Sequence, residues 1–579
     1  MNYEWIIKKS AEFEQIADLS SKLNNLNGKL TNILINLGVD NFQKAKEFFR
    51  PDLSGIHDPF LMKDMLKAVE RLQNAIENKK KILVYGDYDV DGTTSVAVVF
   101  DFLSNYTKNI DYYIPDRFIE GYGISIKGID YAAENNFDLV IALDCGIKAV
   151  DKIEYANSKN IDFIICDHHT PGEVVPDAVA ILNPKQVDCP YPYKELSGCG
   201  VGFKFMQAFA QRNNIDSKKV FEYLDLVAIS IASDIVQITG ENRILEAIGI
   251  EKLMNTNKNG LKALLFTAGL VSETDESNKN SKNISVSDIV FKIGPRINAA
   301  GRMDHANAAV ELLTEKDFDS AREFANELNT LNSERKEIQD TIFNDVIDIF
   351  EKNTELLEKK SIVVHNEHWN KGIIGIVASK IVEKYYKPTI ILTKSNGKWT
   401  GSGRSVTGFD LYNAIDKCSH LLHSFGGHKY AAGLTIEEEN LQEFIDTFEN
   451  IVSASITSDQ LNPKLVISDI LRFDEIDNRF LNVLSQFAPF GPGNMQPVFV
   501  TFNVRDTGQS IQIGKNFEHL RLEIKDESGS VLSATAFGMG HLFDYVQKYP
   551  FDIAYTIVEN YWNGKKTYNL NVKDIRFKL

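Results

Sequence analysis

Residues 86–92 read Gly-Asp-Tyr-Asp-Val-Asp-Gly, with carboxylates at Asp87, Asp89 and Asp91. Like charges this close disfavour one another's ionised form, so the arrangement calls for a positive partner. Asp144 in LDCG, the run Asp167-His168-His169, and Asp234 at the end of YLDLVAISIASDIV add further acids and two imidazoles. Carboxylates with neutral imidazoles suit Mn²⁺ or Mg²⁺ better than thiolate-bound Zn²⁺. About five to seven such ligands exceed the needs of one ion and fit two, roughly 3.5–4 Å apart, as in two-metal phosphoryl transfer.

Other chemistries fit residues 87–98 less well. A calcium loop would match D-x-D-x-D-G, but its twelfth position, a bidentate Glu, is here Val98. The segment also comes after the strand-like KILVYG where such a loop needs a helix. A nucleotide-binding turn presents backbone N–H groups and avoids acidic side chains. A solvated acidic turn accounts for one or two aspartates, but not for acids converging from separate segments.

The elements that must position these groups are short apolar runs: KILVYG (81–86), IDYYIP (110–115), DLVIALD (138–144), DFIICD (162–167) and AVAIL (178–182). Most are separated by helix-length stretches, the pattern of a parallel α/β sheet buried on both faces. Loops at the carboxyl ends of such strands converge on one rim. That rim receives the acids and histidines, with Asp234 arriving from an apolar helix or strand. Cys145 and Cys166 lie beside it without ligand spacing and read as packing residues.

Around this sheet, residues 1–50 read as short amphipathic helices, and further helices are expected at 62–79 and 217–254. Residues 272–283 are polar and read as a loop. A charged helical pattern free of Gly and Pro covers about 315–353, long enough to bridge two domains. A second α/β unit begins at about 360, with a helix at 372–385 and glycine clusters at 401–403 and 426–427 that read as loops. Past residue 462 the chain is dense in short strands, suggesting a small β-barrel or sandwich.

The 579 residues allow roughly three or four domains at about 100–200 residues each. No stretch approaches the roughly 18 apolar residues of a membrane span, and no apolar segment of signal-peptide length stands at the N-terminus. Five scattered cysteines without a CxxC pair point to a reducing cytoplasm. The net charge of −17 disfavours coating nucleic acid by bulk attraction, though not a basic channel. Residues 462–579 are neutral, with 13 Lys and Arg against 13 Asp and Glu.

GDYDVDG, DCG and DHH resemble the ordered motifs of the DHH phosphoesterase superfamily. YIPDRFIEGYG (113–123), LNPKQVDCPYPYKELSGCGVGFK (182–204), GPRINAAGRM (294–303), WNKGIIGIVASKI (369–381), GSGRS (401–405), GGHKYAAG (426–433) and PFGPGNMQPVF (489–499) are similar to its RecJ exonucleases. The resemblance runs from about residue 50 to the C-terminus. After the helical segment read at 1–50, it implies a DHH catalytic domain (51–314), a connecting helix (315–353), a DHH-associated domain (354–458) and an OB-fold (459–579). Positions matching the motifs make Asp89, Asp91, Asp144, His168 and Asp234 metal ligands. Asp87 and His169 become ligands or their close neighbours, with catalytic roles expected for Asp87, Asp91, His168 and His169. Asp234 is preferred over Asp225, although Ser230 stands where the family's motif has glycine.

The activity implied is 5′→3′ hydrolysis of single-stranded DNA to nucleoside 5′-monophosphates, with two Mn²⁺ or Mg²⁺ ions activating a water. The second domain is expected to supply phosphate clamps: Ser402, Arg404, Arg302, and His428 beside Gly426 and Gly427. Arg117 and Tyr122 would line a channel too narrow for duplex. Phe499, Phe502, Tyr555, Tyr561 and Trp562 are candidates for base stacking on the OB-fold, with a place in the barrel core the commoner alternative for any one of them. A cytoplasmic monomer is expected, serving recombination and repair beside a single-strand-binding protein and a helicase. The alternatives are a small-substrate phosphodiesterase, which residues 462–579 argue against, and an inactive single-strand-binding scaffold, which the intact acidic set argues against.

Overall fold

Five strands, β1 (Ile82–Gly86), β2 (Ile110–Tyr113), β3 (Leu139–Leu143), β4 (Asp162–Cys166) and β5 (Ala180–Leu182), form an all-parallel sheet in the order β2-β1-β3-β4-β5. The structure is a computed structural model describing residues 3–271, 284–303, 306–562 and 565–577; the expected loop at 272–283 lies outside the described residues. β1 and β3 are buried at every residue, which explains their uninterrupted apolar sequence. The strand order reverses between β1 and β3, and a ligand crevice forms at the carboxyl ends of such a pair.

Helices α1 (Val90–Leu103), α2 (Gly198–Arg212) and α3 (Leu224–Ser233) pack together beside this sheet, and α4 (Gly240–Met254) packs on α3. The apolar segment before Asp234 is therefore a helix. α5 (Gly294–Met303) continues from a π-helical turn at Ile289–Ile293. α6 (Phe318–Lys352) is one helix of 35 residues, about 50 Å long at a rise of about 1.5 Å per residue.

The chain divides into two compact units, with the boundary inside α6. One unit comprises the residues up to Ile7 together with Thr330–Val466. It holds a mixed sheet of β6 (Ile362–His365), β7 (Thr389–Ser395), β8 (Lys398–Arg404), β9 (Leu422–His428) and β10 (Ala431–Ile436), in the order β9-β10-β8-β7-β6. α7 (Ile374–Tyr385) and α8 (Leu441–Ser455) belong to the same unit. The glycine clusters lie in strands β8 and β9, not in loops. A Cβ at Gly401 would stand 2.6 Å from Leu392 Cδ2, and one at Gly403 2.9 Å from Leu411 Cδ2. Glycine there answers close packing rather than a turn.

The other unit contains the parallel sheet and everything from Ile467 onward. Its C-terminal part is a barrel of β11 (Phe499–Asp506), β12 (Ile511–Ile513), β13 (His519–Lys525), β14 (Val531–Ala536), β15 (Phe551–Trp562) and β16 (Lys565–Phe577). β11 pairs with β15, β15 with β16, β16 with β14 in parallel, and β14 with β13. Pairing of Arg505 with Lys525 closes β13 onto β11, giving the five-stranded ring of an OB-fold with β12 added at its edge. Residues from the N-terminal helices, including Leu30, Leu34 and Phe48, share one core with this barrel. One correction concerns residues 1–50. Three helices form, but Glu4–Ile7 is a strand paired with Lys464–Ile467, a long-range partner that local periodicity does not reveal.

Candidate metal centre and phosphate-binding face

The acidic loop leaves β1 at its carboxyl end. Gly92 closes it, because a Cβ there would lie 2.3 Å from the Asp87 carbonyl oxygen. Asp89 caps α1, accepting from Gly92 N at 3.0 Å. Asp91 lies in the first turn, where it is buried and firmly held. Its carboxylate accepts from Gly198 N at 2.7 Å, Cys199 N at 2.8 Å and Ser230 Oγ at 2.7 Å. Ser230, where the resembled motif has glycine, thus braces this carboxylate, and its hydroxyl shares a second hydrogen bond of 2.6 Å with Ser197 Oγ.

Asp144 stands at the end of β3 with φ +60, and glycine at 198 makes room for it: a Cβ there would stand 2.6 Å from Asp144 Cβ. His168 lies just past β4, and its Nε2 is 3.2 Å from Asp144 Oδ1, 3.5 Å from Asp234 Oδ2 and 3.6 Å from Asp91 Oδ2. The rim therefore brings Asp91, Asp144, His168 and Asp234 to one point, with Asp87 and Asp89 in the same loop. Asp225 is elsewhere: it lies at the opposite end of α3 and is paired with Lys258 at 2.8 Å and Thr256 Oγ1 at 2.8 Å.

The electrostatics show what this cluster lacks. Burial, and then the Asp89 charge, push the Asp87 carboxyl well above the usual range. Burial and then the Asp91 charge raise Asp89 and Asp144, and push Asp234 up to about 9. Burial lowers the His168 imidazole, favouring its neutral, ligating form. Asp87 Oδ2, Asp144 Oδ1 and both ring nitrogens of His168 are buried without a hydrogen-bond partner. Orphaned donor atoms of this chemistry fit a hard or borderline divalent cation. Two groups of such atoms come within 4.8 Å of one another: Asp91, His168 and Asp234, and Asp144, His168 and His169.

Neighbouring residues hold this set in place, and of these only Asn298 is not singled out by the sequence. Asp167 accepts from His168 N, His169 N, Ile147 N and His169 Nδ1, the last at 2.7 Å. Burial opposes its ionisation, but the His169 contacts hold its carboxyl down at about 2. Asn298 on α5 accepts from Val90 N at 3.1 Å, and a Cβ at Gly301 would stand 2.6 Å from Tyr88 O. Arg302, next along α5, therefore belongs with the acidic loop and not, as the sequence suggests, with the second domain. Arg117 lies over the Tyr88 ring at 4.9 Å. The exposed Tyr122 brings its hydroxyl within 3.2 Å of Asp144 O and of His169 Nε2.

In the unit containing α7, the register sets His428, Ala431 and Arg404 in one row across β9, β10 and β8. Gly426, Gly433 and Ser402 form the row two residues away, so all six positions share one face. Ala431, Gly433 and Gly426 leave a floor without bulk between Arg404 and His428. Gly427 has φ +143, and a Cβ there would lie 2.4 Å from Ala431 O. Arg404 donates to Ser402 Oγ at 3.0 Å. The first turn of α7 abuts both: a Cβ on Gly375 would stand 2.8 Å from Ser402 Oγ and 3.0 Å from Arg404 Nη2. A helix N-terminus beside a guanidinium and a hydroxyl is suited to an anion.

Comparison with known proteins agrees with the fold. Residues 81–231 match the DHH family, N-terminal domain; residues 358–454 match the DHHA1 domain; residues 467–574 match the RecJ OB domain. The single-stranded-DNA-specific exonuclease RecJ of Bacillus subtilis is 34% identical over 575 residues, 98% of this chain and 70% of that protein. Its Escherichia coli counterpart is 33% identical over 84% of this chain and 85% of its own length. The chain belongs to the RecJ family. The fold agrees: the crystal structure of RecJ from Thermus thermophilus with Mn²⁺ aligns with a TM-score of 0.84 at 24% identity, over 99% of this chain and 79% of that one. A crystal structure of exonuclease RecJ bound to manganese aligns at 28% identity and TM-score 0.60, covering 70% of this chain and 97% of that one.

The barrel corrects the sequence-based expectation for this RecJ-family member. Phe499 and Tyr555 are core, and only Phe502 of the described candidates is exposed; the side chains of Tyr561 and Trp562 lie outside the described residues. Exposed aromatics sit instead at Phe517 and Phe537, with His519 edge-on to Phe537 at 5.2 Å. A signal existed in the alternation of β13, whose Leu520, Leu522 and Ile524 point inward and leave His519 and Arg521 outside.

Proposed function

We propose that this chain is a divalent-metal-dependent exonuclease that hydrolyses single-stranded DNA from the 5′ end and releases nucleoside 5′-monophosphates in recombination and repair. The observation that carries this reading is the convergence of Asp91, Asp144, His168 and Asp234 on one rim, with orphaned, buried donor atoms. Asp89, Asp91, Asp144, His168 and Asp234 would hold Mn²⁺ or Mg²⁺, with Asp87 at the edge of the set. Bound there, the ions would supply an activated water at neutral pH and offset the charge of the phosphate.

The side chains supply the rest. His169 is oriented by Asp167, whose ionised carboxylate accepts from Nδ1 at 2.7 Å; burial opposes protonation of the imidazole and the Asp167 bond favours it. Its Nε2 can donate to a phosphate oxygen or to the departing 3′-oxygen. The water's oxygen attacks phosphorus, the bond from phosphorus to the 3′-oxygen breaks, and the released nucleotide keeps the phosphate on its 5′ side. Arg117 and Arg302 border the acidic loop and steady the backbone, while Tyr122 meets a base. Ser402, Arg404, Gly426, Gly427 and His428 form a face for a phosphate, the feature that would set the end preference. Phe517, His519 and Phe537 offer stacking surface for bases further along the strand. The domain limits 1–50, 51–314, 315–353, 354–458 and 459–579, a cytoplasmic monomeric state, and co-operation with a single-strand-binding protein and a helicase are part of the same reading. No helix among the described residues is long and apolar enough to cross a membrane.

Digestion of DNA labelled at either end, single- or double-stranded, with Mn²⁺, Mg²⁺ or EDTA tests it. The expected result is mononucleotide release from the 5′ end of single strands only, abolished by EDTA. Release from the 3′ end, equal attack on duplex, or activity in EDTA would overturn it.

A further inference from the structure

Asp234 is the one carboxylate of the converging set that does not come from the strand rim; it stands at the C-terminal end of α3, where its N–H donates to Ser230 O and the chain leaves the helix. Ile235, the next residue, has φ +60 and an exposed side chain. A β-branched residue takes this conformation only where its surroundings impose it. Gln237 O receives Tyr193 Oη at 2.9 Å and Asn242 Nδ2 at 3.0 Å. Ile238 is fully buried, and its N–H donates to Pro492 O at 2.7 Å.

Pro492 lies in the segment PFGPGNMQP, more than 250 residues downstream, for which the proposed chemistry has no use. This segment is a preformed turn. Gly491 and Asn494 exchange backbone hydrogen bonds at 3.1 and 2.9 Å, and the buried Asn494 side chain donates to Phe487 O and Pro489 O, both at 2.8 Å. Arg243 on α4 donates to Phe487 O, Ala488 O and Pro489 O, and its guanidinium lies over the Phe48 ring at 3.8 Å. On the far side Gln496 Nε2 donates to Ile557 O in the barrel. The two glycines allow the turn to touch the Asp234 segment. A Cβ on Gly491 would lie 2.4 Å from Ile238 Cδ1, and one on Gly493, at φ +76, 2.7 Å from Thr239 Cγ2.

We propose that the Pro489–Gln496 turn is the positioning element for Asp234: it clamps residues 237–239 and thereby fixes this carboxylate at the metal centre. The proposal rests on the metal-binding reading above. Its residues do not touch substrate; they act through Asp234.

The test is Mn²⁺ titration of the full-length chain without DNA, monitored by electron paramagnetic resonance of free and bound Mn²⁺. Wild type should bind Mn²⁺ at the centre; no binding by wild type would sink the metal reading itself. Gly491→Ala should weaken binding about 10-fold, the scale on which groups supporting a metal ligand act. Ile238→Val removes the Cδ1 atom that the new methyl meets. Alone it should bind within about threefold of wild type, and combined with Gly491→Ala it should restore most of the lost affinity, the signature of a direct coupling. Thermal melting in EDTA separates misfolding from displacement, and Gln496→Ala serves as a milder variant if Gly491→Ala does not fold. Wild-type Mn²⁺ affinity in a folded Gly491→Ala chain, or a loss that Ile238→Val fails to rescue, would overturn the proposal.

Discussion

On the proposed function, the acidic rim and the Arg404 face would meet the same general problem, a phosphate in water, by opposite constructions. The rim is buried, dense in charge and over-determined. Asp91 alone is held by two backbone N–H groups and a hydroxyl, and Asp144 adopts a backbone conformation that glycine at 198 accommodates. The Arg404 face is open, and is made mostly by leaving side chains out: Gly426, Gly433 and Ala431 clear the space between one cation and one imidazole. The first arrangement is unfavourable as it stands, with carboxyls pushed toward their protonated form, and needs a cation to settle it. The second costs little when empty. A site for a cation therefore lowers the stability of the empty fold, whereas a site for an anion defers its cost until the ligand arrives.

The largest effect that could break this contrast is at His168. His168→Ala should reduce nuclease activity in Mn²⁺ to background with no loss of melting temperature in EDTA, because neither ring nitrogen has a hydrogen-bond partner to lose. Asp91→Ala should be equally inactive but also less stable, since each N–H left unsatisfied costs about 1–3 kcal/mol. Activity assays paired with melting curves check both. Equal melting losses in the two variants would mean that the rim is not divided into braced and orphaned groups.

Smaller, and confined to the open face, is Arg404→Ala. A hydrogen bond to a charged group contributes about 1.5–3 kcal/mol, so kcat/KM on a 5′-phosphorylated single strand should fall about 10- to 100-fold. Mn²⁺ affinity should stay at the wild-type value. Gly433→Val, which fills the floor beside Ser402, should act in the same direction. A drop in Mn²⁺ affinity in either variant would contradict the separation of the two regions.

The same contrast explains how much was legible in the sequence. The rim is readable because each strand ends in a chemically unusual residue, and strand ends of a parallel sheet share an edge. Asp87, Asp89, Asp91, Asp144 and His168 fall where that rule puts them. The Arg404 face is half readable. Ser402, Arg404 and His428 stand out, but their glycines read as loops, because a sequence does not distinguish a glycine that turns from one that makes room. Stacking and core aromatics of the barrel are not told apart for a related reason: Phe499 and Tyr555 are as aromatic as Phe517 and Phe537, and only inward or outward facing separates them. The strand at Glu4–Ile7, the hold of Asn298 on the acidic loop and the partnership of Arg243 with residues 487–489 depend on chain segments far apart.

The least dramatic prediction sharpens the comparison through pH. Asp87, Asp89, Asp144 and Asp234 have carboxyl pKa values raised on folding, so the metal-free folded chain holds more protons than the unfolded one. Their contribution to stability is fully present below about pH 4, the ordinary Asp range. It is lost as pH rises through the raised values, for Asp234 about 9. Asp167, held down at about 2, acts in the opposite sense but only in stronger acid. The melting temperature in EDTA should therefore decline between neutral pH and about 9. Mn²⁺ should reverse that slope, because it binds the ionised carboxylates and displaces their protons. Asp234→Asn removes one of the titrating groups and should flatten the decline in EDTA, whereas Arg404→Ala should leave the profile unchanged, since a guanidinium does not titrate in this range. A slope insensitive to Asp234→Asn would place the pH dependence outside the acidic rim, and would remove the ground for holding that this rim stays in an unfavourable state until a cation binds.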